Sequence, residues 1–443
     1  MKNVLDKYLR QYAEPQVEHI SDMSALLGSE HIFDNVVVIP AYCERVEFIE
    51  RFFSSALGQQ NALMILVVNQ PDSATTNIQQ LSLWQDALTL AENKIEWQSC
   101  DGKLVLVTPQ NSQPKQLKSD QKNSTKTKAK LLLVDCFNEP LPVKQGVGLA
   151  RKIGVDIAAQ LVANGIVKSR WLHSSDADAS LPDDYFTVTN QLSIDYHIAI
   201  YNFDHQCDNA NVHWANQLYQ QALSYYVSGL RYAGSPYAYY TIGSILAFDV
   251  NAYAKVRGFP KRSAGEDFYL LNKLTKLSEF NPEPSTQCGS TRPESQYNHY
   301  FFDDCEIVLK ARTSDRVPFG TGPAVQKILS LKEQGEDYCY YQPQLFEYLK
   351  FTLNAFSDLA QRSHEFERWL TGLPVDCQRA LLAIGLEQFV LKHQGDGKKQ
   401  FNQQLHTWFD GFKTLKFIHA LRDCGYPDIA LTEAIAQASW INS

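Results

Sequence analysis

The chain reads as an α/β protein with a helical carboxyl-terminal region. Apolar runs at 35–40, 63–68, 103–107 and 131–135 look like strands, most of them nearly unbroken as in parallel strands covered on both faces. Helical periods alternate with them, the clearest being Leu149, Ile153, Ile157 and Leu161 at four-residue spacing. After about residue 325 the texture changes to long amphipathic stretches near 343–370, 376–392, 400–422 and 428–440. Such alternation predicts a sheet whose ligands sit beyond the carboxyl ends of its strands.

The bulk numbers narrow the class. With 443 residues there is room for two domains, and 44% hydrophobic content with 12% aromatics supplies a real core. A formal charge of −8 argues against general nucleic-acid binding, which needs a basic surface. The 9 cysteines are scattered, with no Cys-x-x-Cys or Cys/His cluster of zinc spacing, and read as free thiols in a reducing compartment. The first residues have no signal-peptide run, and no apolar segment approaches the ~20 residues of a membrane-spanning helix. The expectation is a cytoplasmic protein without a transmembrane segment.

Taken in order, residues 1–33 read as a helical lead-in and 34–325 as the α/β domain, with 326–443 as the helical region. The first strand ends at Pro40 and runs into Tyr42, Cys43 and Glu44; the second ends at Asn69. Residues 109–130 are Gln, Ser, Asn and Lys almost throughout and read as a polar surface insertion. Gly146 and Gly148 open a helix, where backbone can approach an anion closely, and Arg151 lies one turn in.

Asp176-Ala177-Asp178 is the most informative motif, because a buried strand ends just before it and Leu181-Pro182 breaks the chain just after. On extended backbone, residues two apart share a side, so both carboxylates can address one point. That suits Mg²⁺ or Mn²⁺, hard cations that keep positions open for phosphate oxygens. A second acidic pair, Glu266-Asp267, follows Gly265 at a helix start and reads either as a cap or as a general base. The Tyr-rich stretch 231–240 with Gly243-Ser244 suits a sugar-binding wall or plain packing. His299 is a lone histidine, and 312–322 is a loop with two arginines able to clamp a phosphate or to link domains.

Together these elements resemble the GT-A glycosyltransferases, most closely family 2. The resemblance is carried by Val38 to Glu44, Gly148 to Gly154, Asp176-Ala177-Asp178, Gly243-Ser244 with Gly258-Phe259, and Gly265-Glu266-Asp267. It implies a nucleotide-diphospho-sugar donor bordered by Pro40, Tyr42, Glu44, Asn69, Gly148, Arg151 and Asp176. It also implies a divalent metal held by Asp176 and Asp178 with His299 as a third ligand, acceptor contacts at Gly243 and Ser244, and Asp267 as base with Glu266 beside it. Cys43 stands where relatives usually carry Asn, and Asn69 where many carry an acid. Two other classes share features. Haloacid dehalogenase-type phosphatases use Asp-x-Asp after their first core strand, with the first Asp as nucleophile, and a non-catalytic nucleotide- or carbohydrate-binding protein needs only the pocket. Donor sugar, acceptor, stereochemistry and oligomeric state leave no signal in the sequence.

Overall fold

The apolar runs become strands because their side chains can be enclosed on both faces. Every residue of β1 (Asn35–Ala41) is buried, as is all of β2 (Ala62–Pro71) except its last residue. A large aliphatic side chain taken fully out of water stabilises the fold by roughly 1.5–3 kcal/mol, and these strands form the centre of the core. The computed structural model describes residues 2–20, 31–96, 103–110, 127–278, 297–311 and 320–441. Most of the polar insertion expected at 109–130, and the arginine loop up to residue 319, lie outside the described residues.

Contacts divide the chain into two units, the first comprising Met1–Asp208, Thr241–Leu274 and Asn298–Gly320. It contains α1 (Lys2–Gln11), β1, α2 (Glu47–Ser54), β2, α3 (Ile78–Thr89), β3 (Ala91–Glu96), β4 (Leu104–Pro109), β5 (Lys130–Leu141) and α4 (Gly146–Ala163). Then come β6 (Trp171–Ser174), β7 (Ala179–Ser180), α5 (Tyr185–Asn190) and β8 (Ile198–Gln206). Helix α6 (Ala210–Tyr232) belongs to the second unit; β9 (Leu246–Asp249), α7 (Val250–Lys255), α8 (Glu266–Thr275) and β10 (His299–Lys310) return to the first. The strands form a 10-stranded sheet in the order β3-β4-β5-β2-β1-β6-β9-β8-β10-β7. Strands β5, β2, β1, β6, β8 and β10 run parallel, while β4, β9 and β7 oppose them.

Where β1 and β6 part, the sheet opens. Strand β1 pairs with β2 along its whole length but with β6 only at Val37 and Val38. The Ser175 N–H donates to the Val38 carbonyl (3.0 Å), so residue 40, two further on, turns its peptide nitrogen to the same side. Strand β6 has already ended there. Pro40, which has no N–H, therefore leaves no ladder bond unmade.

The second unit comprises Asn209–Tyr240, Thr275–Tyr297 and Thr321–Ser443. Its helices are α6, α9 (Thr321–Gln334), α10 (Pro343–Gln361), α11 (Phe366–Thr371), α12 (Val375–Ala383), α13 (Leu386–His393), α14 (Lys398–Trp408), α15 (Gly411–Asp423) and α16 (Leu431–Gln437). A short pair, β11 (Cys339–Tyr340) and β12 (Ile429–Ala430), joins them. Its core sets Leu345, Phe346, Leu349 and Phe356 with Phe417, Ile418 and Leu421, and takes in Tyr225 of α6. Two assignments differ from the expectation: α1 belongs with the sheet rather than apart from it, and 209–240 belongs with the helices, while the last crossing between the units lies at 320/321, where 325 was expected. Helix α6 interrupts the sheet sequence because its apolar side chains complete a helical core. In the Tyr-rich stretch Tyr237 and Tyr239 are buried, which makes them packing residues. Among the described residues no helix is long and apolar enough to cross a membrane.

Candidate active site

Strand β6 delivers Asp176-Ala177-Asp178 to the carboxyl rim of the parallel strands. The motif is a turn, not the extended segment that strand alternation suggests: the Ala179 N–H donates to the Asp176 carbonyl at 3.1 Å. The turn is held on two sides. Lys310 donates its N–H to the Asp178 carbonyl (2.9 Å), and Arg51 of α2 donates from Nη2 to the carbonyls of Ala177 (3.3 Å) and Ala179 (2.8 Å). Burial lowers the pKa of Arg51, and the charge of Asp178 opposes that shift. Both motif carboxylates keep part of their surface accessible.

Arg151 is the hub of the site. Its side chain is 3% exposed and donates from Nη2 to Asp176 Oδ1 (2.9 Å) and from Nε to Glu266 Oε1 (3.2 Å). Nη1 donates to Ser174 Oγ (2.7 Å) and to the carbonyls of Ser175 (3.3 Å) and Gly243 (3.4 Å). Burial disfavours its charge, but Asp176 and Glu266 more than restore it and leave the guanidinium more basic than usual. The sequence placed Arg151 beside a donor diphosphate. Its fork is instead occupied by protein oxygens, so it orients the acids rather than meeting a ligand.

Through Arg151 the two acidic motifs, far apart in sequence, share one site. Glu266 opens α8 with its side chain enclosed, while Asp267 beside it is only partly covered. Desolvation, with the Glu266 charge adding to it, raises the Asp267 pKa to about 7 against the Phe268 N–H, which donates to its Oδ1 at 2.7 Å. Two adjacent carboxyls of unlike environment, one holding its proton more tightly than an ordinary aspartate, are suited to proton transfer.

Several expected contacts have different roles. Gly148 is closed to an anion: its N–H donates to the Arg262 carbonyl at 2.9 Å. A Cβ there would stand 2.5 Å from that oxygen and 2.7 Å from the Pro260 oxygen. Gly243 is small to admit Arg151, whose Nη2 would lie 2.7 Å from its Cβ, and its carbonyl accepts from Ser174 Oγ at 2.9 Å. Ser244 is buried beside it, so neither residue forms an open acceptor wall. His299 cannot complete a metal site with Asp178. It opens β10, whereas Leu309, near the strand's end, pairs with Ala179. The paired strand β8 advances seven residues over that interval, from Ile198 to His205, which at about 3.3 Å per residue is on the order of 20 Å.

Pro40 and Asn69 lie near the carboxyl ends of β1 and β2, within the strands, and Tyr42 and Glu44 follow the carboxyl end of β1. Tyr42 and Glu44 are partly exposed, Asn69 and Pro40 buried, and Cys43 between them takes a left-handed backbone (φ 56°). For a metal, Asp176 and Asp178 supply hard oxygen donors, and the Asp176 side chain is 34% exposed. Among the described residues no three His, Cys, Asp or Glu side chains converge on a metal position. The pair fits a cation that arrives with phosphate oxygens, as Mg²⁺ usually does.

No family model matches this sequence, and no curated protein matches it. Solved structures do. The chain is similar to TarS 1–349 of S. aureus in complex with UDP-GlcNAc, at TM-score 0.33 and 9% identity over 84% of this chain and 90% of that one. It is also similar to the mannosyltransferase PcManGT of Pyrobaculum calidifontis in complex with GDP-Man and Mn²⁺. There the TM-score is 0.33 and the identity 11%, over 96% and 99% of the two chains.

Ser174 and Arg51 escaped the sequence reading. Ser174 stands in a four-residue strand where a serine reads as neutral, and Arg51 is 126 residues from the carbonyl it supports, with no spacing to betray the link.

Proposed function

We propose that this chain is a glycosyltransferase of family 2-like type, moving a hexose from a nucleotide-diphosphate donor to an acceptor hydroxyl with Mn²⁺ or Mg²⁺. The observation that carries the reading is the meeting of Asp176 with Glu266 and Asp267 around one buried arginine at the carboxyl rim of the sheet. Tyr42, Glu44, Asn69 and Pro40 border the nucleoside. Asp176 and Asp178 hold the metal, which when bound neutralises charge on the leaving diphosphate. Asp267 takes the proton from the acceptor hydroxyl, and Glu266 is fixed by Arg151 as its neighbour. Free thiols at Cys43, Cys136 and Cys305 support a reducing, cytoplasmic setting.

The test is a panel of nucleotide sugars with Mn²⁺ or with chelator, followed by calorimetry of UDP and GDP binding to Asp178→Ala. Sugar transfer or slow donor hydrolysis is expected only with metal, and metal-dependent nucleotide binding is expected to vanish in the variant. Unchanged affinity in Asp178→Ala would overturn the metal assignment. Turnover of an aryl phosphate without nucleotide would favour phosphatase chemistry, and nucleotide binding with no turnover on any donor would favour a binding protein.

A further inference from the structure

We infer that the amino-terminal segment is a positioning strap for the Glu266-Asp267 acids, acting through Tyr8, Glu14 and Asp156 on the loop that precedes them. The catalytic part of this inference rests on the function proposed above; the structural part does not.

Asp156 of α4 is fully buried and saturated with donors. Tyr8 and Tyr253 hydroxyls donate to its Oδ1, and the Glu14 N–H (2.9 Å) and Lys152 Nζ (2.8 Å) donate to its Oδ2. Lys152 also donates to the Tyr8 hydroxyl oxygen at 2.7 Å. An apolar contact of equal area would hold α1 as tightly; directional bonds to a buried carboxylate also fix where it lies.

The strap reaches forward to the loop 256–265. Gly258 is left-handed (φ 69°) and lies under the strap, so that a Cβ there would be 2.4 Å from the Tyr8 hydroxyl and 2.8 Å from that of Tyr253. Lys273 Nζ donates to the carbonyls of Val256 and Gly258 at 2.7 Å each. Lys261 Nζ pairs with Glu14 Oε1 at 2.7 Å. The next carbonyl, that of Arg262, accepts from Gly148, and the Arg262 guanidinium lies 3.8 Å from the centre of the Tyr269 ring. The loop is thus tied at 256, 258, 261 and 262 before the chain enters α8 at Glu266. Nothing in the proposed chemistry requires this network, yet its ties end four residues short of the acids.

The experiment compares Lys261→Met, Lys261→Arg and Tyr8→Phe with the unmodified full chain. Hydrogen–deuterium exchange is read over 257–268 and 171–180, UDP or GDP affinity with Mn²⁺ by calorimetry, and turnover on the donor identified above. In Lys261→Met, exchange rises in 257–268 and not in 171–180. Turnover falls roughly tenfold or more, because small misplacements of catalytic groups carry such costs, and nucleotide affinity stays within about twofold. Lys261→Arg, which keeps the pair with Glu14, restores both. Should Tyr8→Phe fail to fold, the exposed Lys261 pair still decides. Raised exchange with unchanged turnover would overturn the positioning role. If the unmodified chain transfers no sugar, the functional reading fails on its own, and unchanged exchange in 257–268 would then overturn the strap as well.

Discussion

Arg151 and Lys152 are consecutive on α4 and equally buried, yet they face different kinds of network. Lys152 lies among partners that satisfy one another: Asp156 has four donors, and the direct partners of Lys152, namely Asp156, Tyr8 and Glu14, are all buried. Arg151 binds two acids, one of which, Asp176, keeps a third of its side chain accessible. The closed network fixes geometry, while the open one holds charge where a ligand can reach it. A buried charge is therefore not by itself a sign of catalysis; what distinguishes the two is whether any partner retains an accessible side.

The strongest way to break this comparison is Arg151→Met. It leaves Glu266 enclosed without its guanidinium, and breaking a buried pair in this way costs about 3–5 kcal/mol. Urea denaturation should show that loss together with lost turnover; a mild loss would mean that the acids relax into solvent.

Next is Asp267→Asn, expected to lower kcat roughly 10²–10⁴-fold with donor affinity kept. The carboxyl has a pKa raised to about 7, so the native state holds its proton where the unfolded chain has released it. Stability should therefore fall as pH rises from about 4 to 7, with a slope of at most about one proton that the Asn variant abolishes. If Asp267 is the base, kcat should rise with pH across the upper part of that range. Matching pH–stability curves for the two proteins would remove Asp267 from this role.

Lys152→Met should cost less, about 1–3 kcal/mol, because Asp156 keeps its tyrosine and backbone donors. Nucleotide affinity should not change; a large drop in it would erase the distinction between the two networks.

Effects of similar size on stability come from a pair of single methyl groups. Gly243→Ala crowds the Arg151 guanidinium and Gly258→Ala crowds the Tyr8 hydroxyl. Each should destabilise by about 1–3 kcal/mol. In Gly243→Ala turnover should fall further than the melting temperature alone predicts, because a reactive acid moves with Arg151. Equal melting temperatures with equal turnover would show that neither contact is tight.

Much of the sheet was legible in the sequence because the centres of β1, β2 and β5 (36–39, 63–68 and 131–134) are unbroken apolar runs, a pattern that double-sided burial explains. Two acidic motifs were legible as residue types at strand and helix ends. What joins them was not. Arg151 looked like a ligand contact, since sequence shows that an arginine sits one turn into a helix but not that Glu266 will fold onto it. Gly243 looked like part of an acceptor wall when its use is to leave room for that arginine. His299 was legible as a histidine past the Asp-x-Asp turn, but it opens its strand, at the amino end, and so lies away from the carboxyl rim. By sequence, helix α6 falls within the α/β domain because it lies between sheet segments, and sequence order does not say which core a helix completes.

The sheet's outer strands carry a further consequence. A broad sheet still has two open borders, each a row of unpaired peptide groups able to recruit another chain. Here one border is mostly β10, of which the two-residue β7 covers only Val308 and Leu309; along it the register breaks between Phe302 and Glu306, and Asp303, Asp304 and Glu306 are exposed. The other is β3, largely exposed, with Lys94 and Glu96 paired at 2.7 Å along it. An acidic, irregular strand on one side and a charged fringe on the other give an incoming strand little to zip onto. The apolar interior of this fold can thus be broad without making the protein prone to sheet-to-sheet polymerisation.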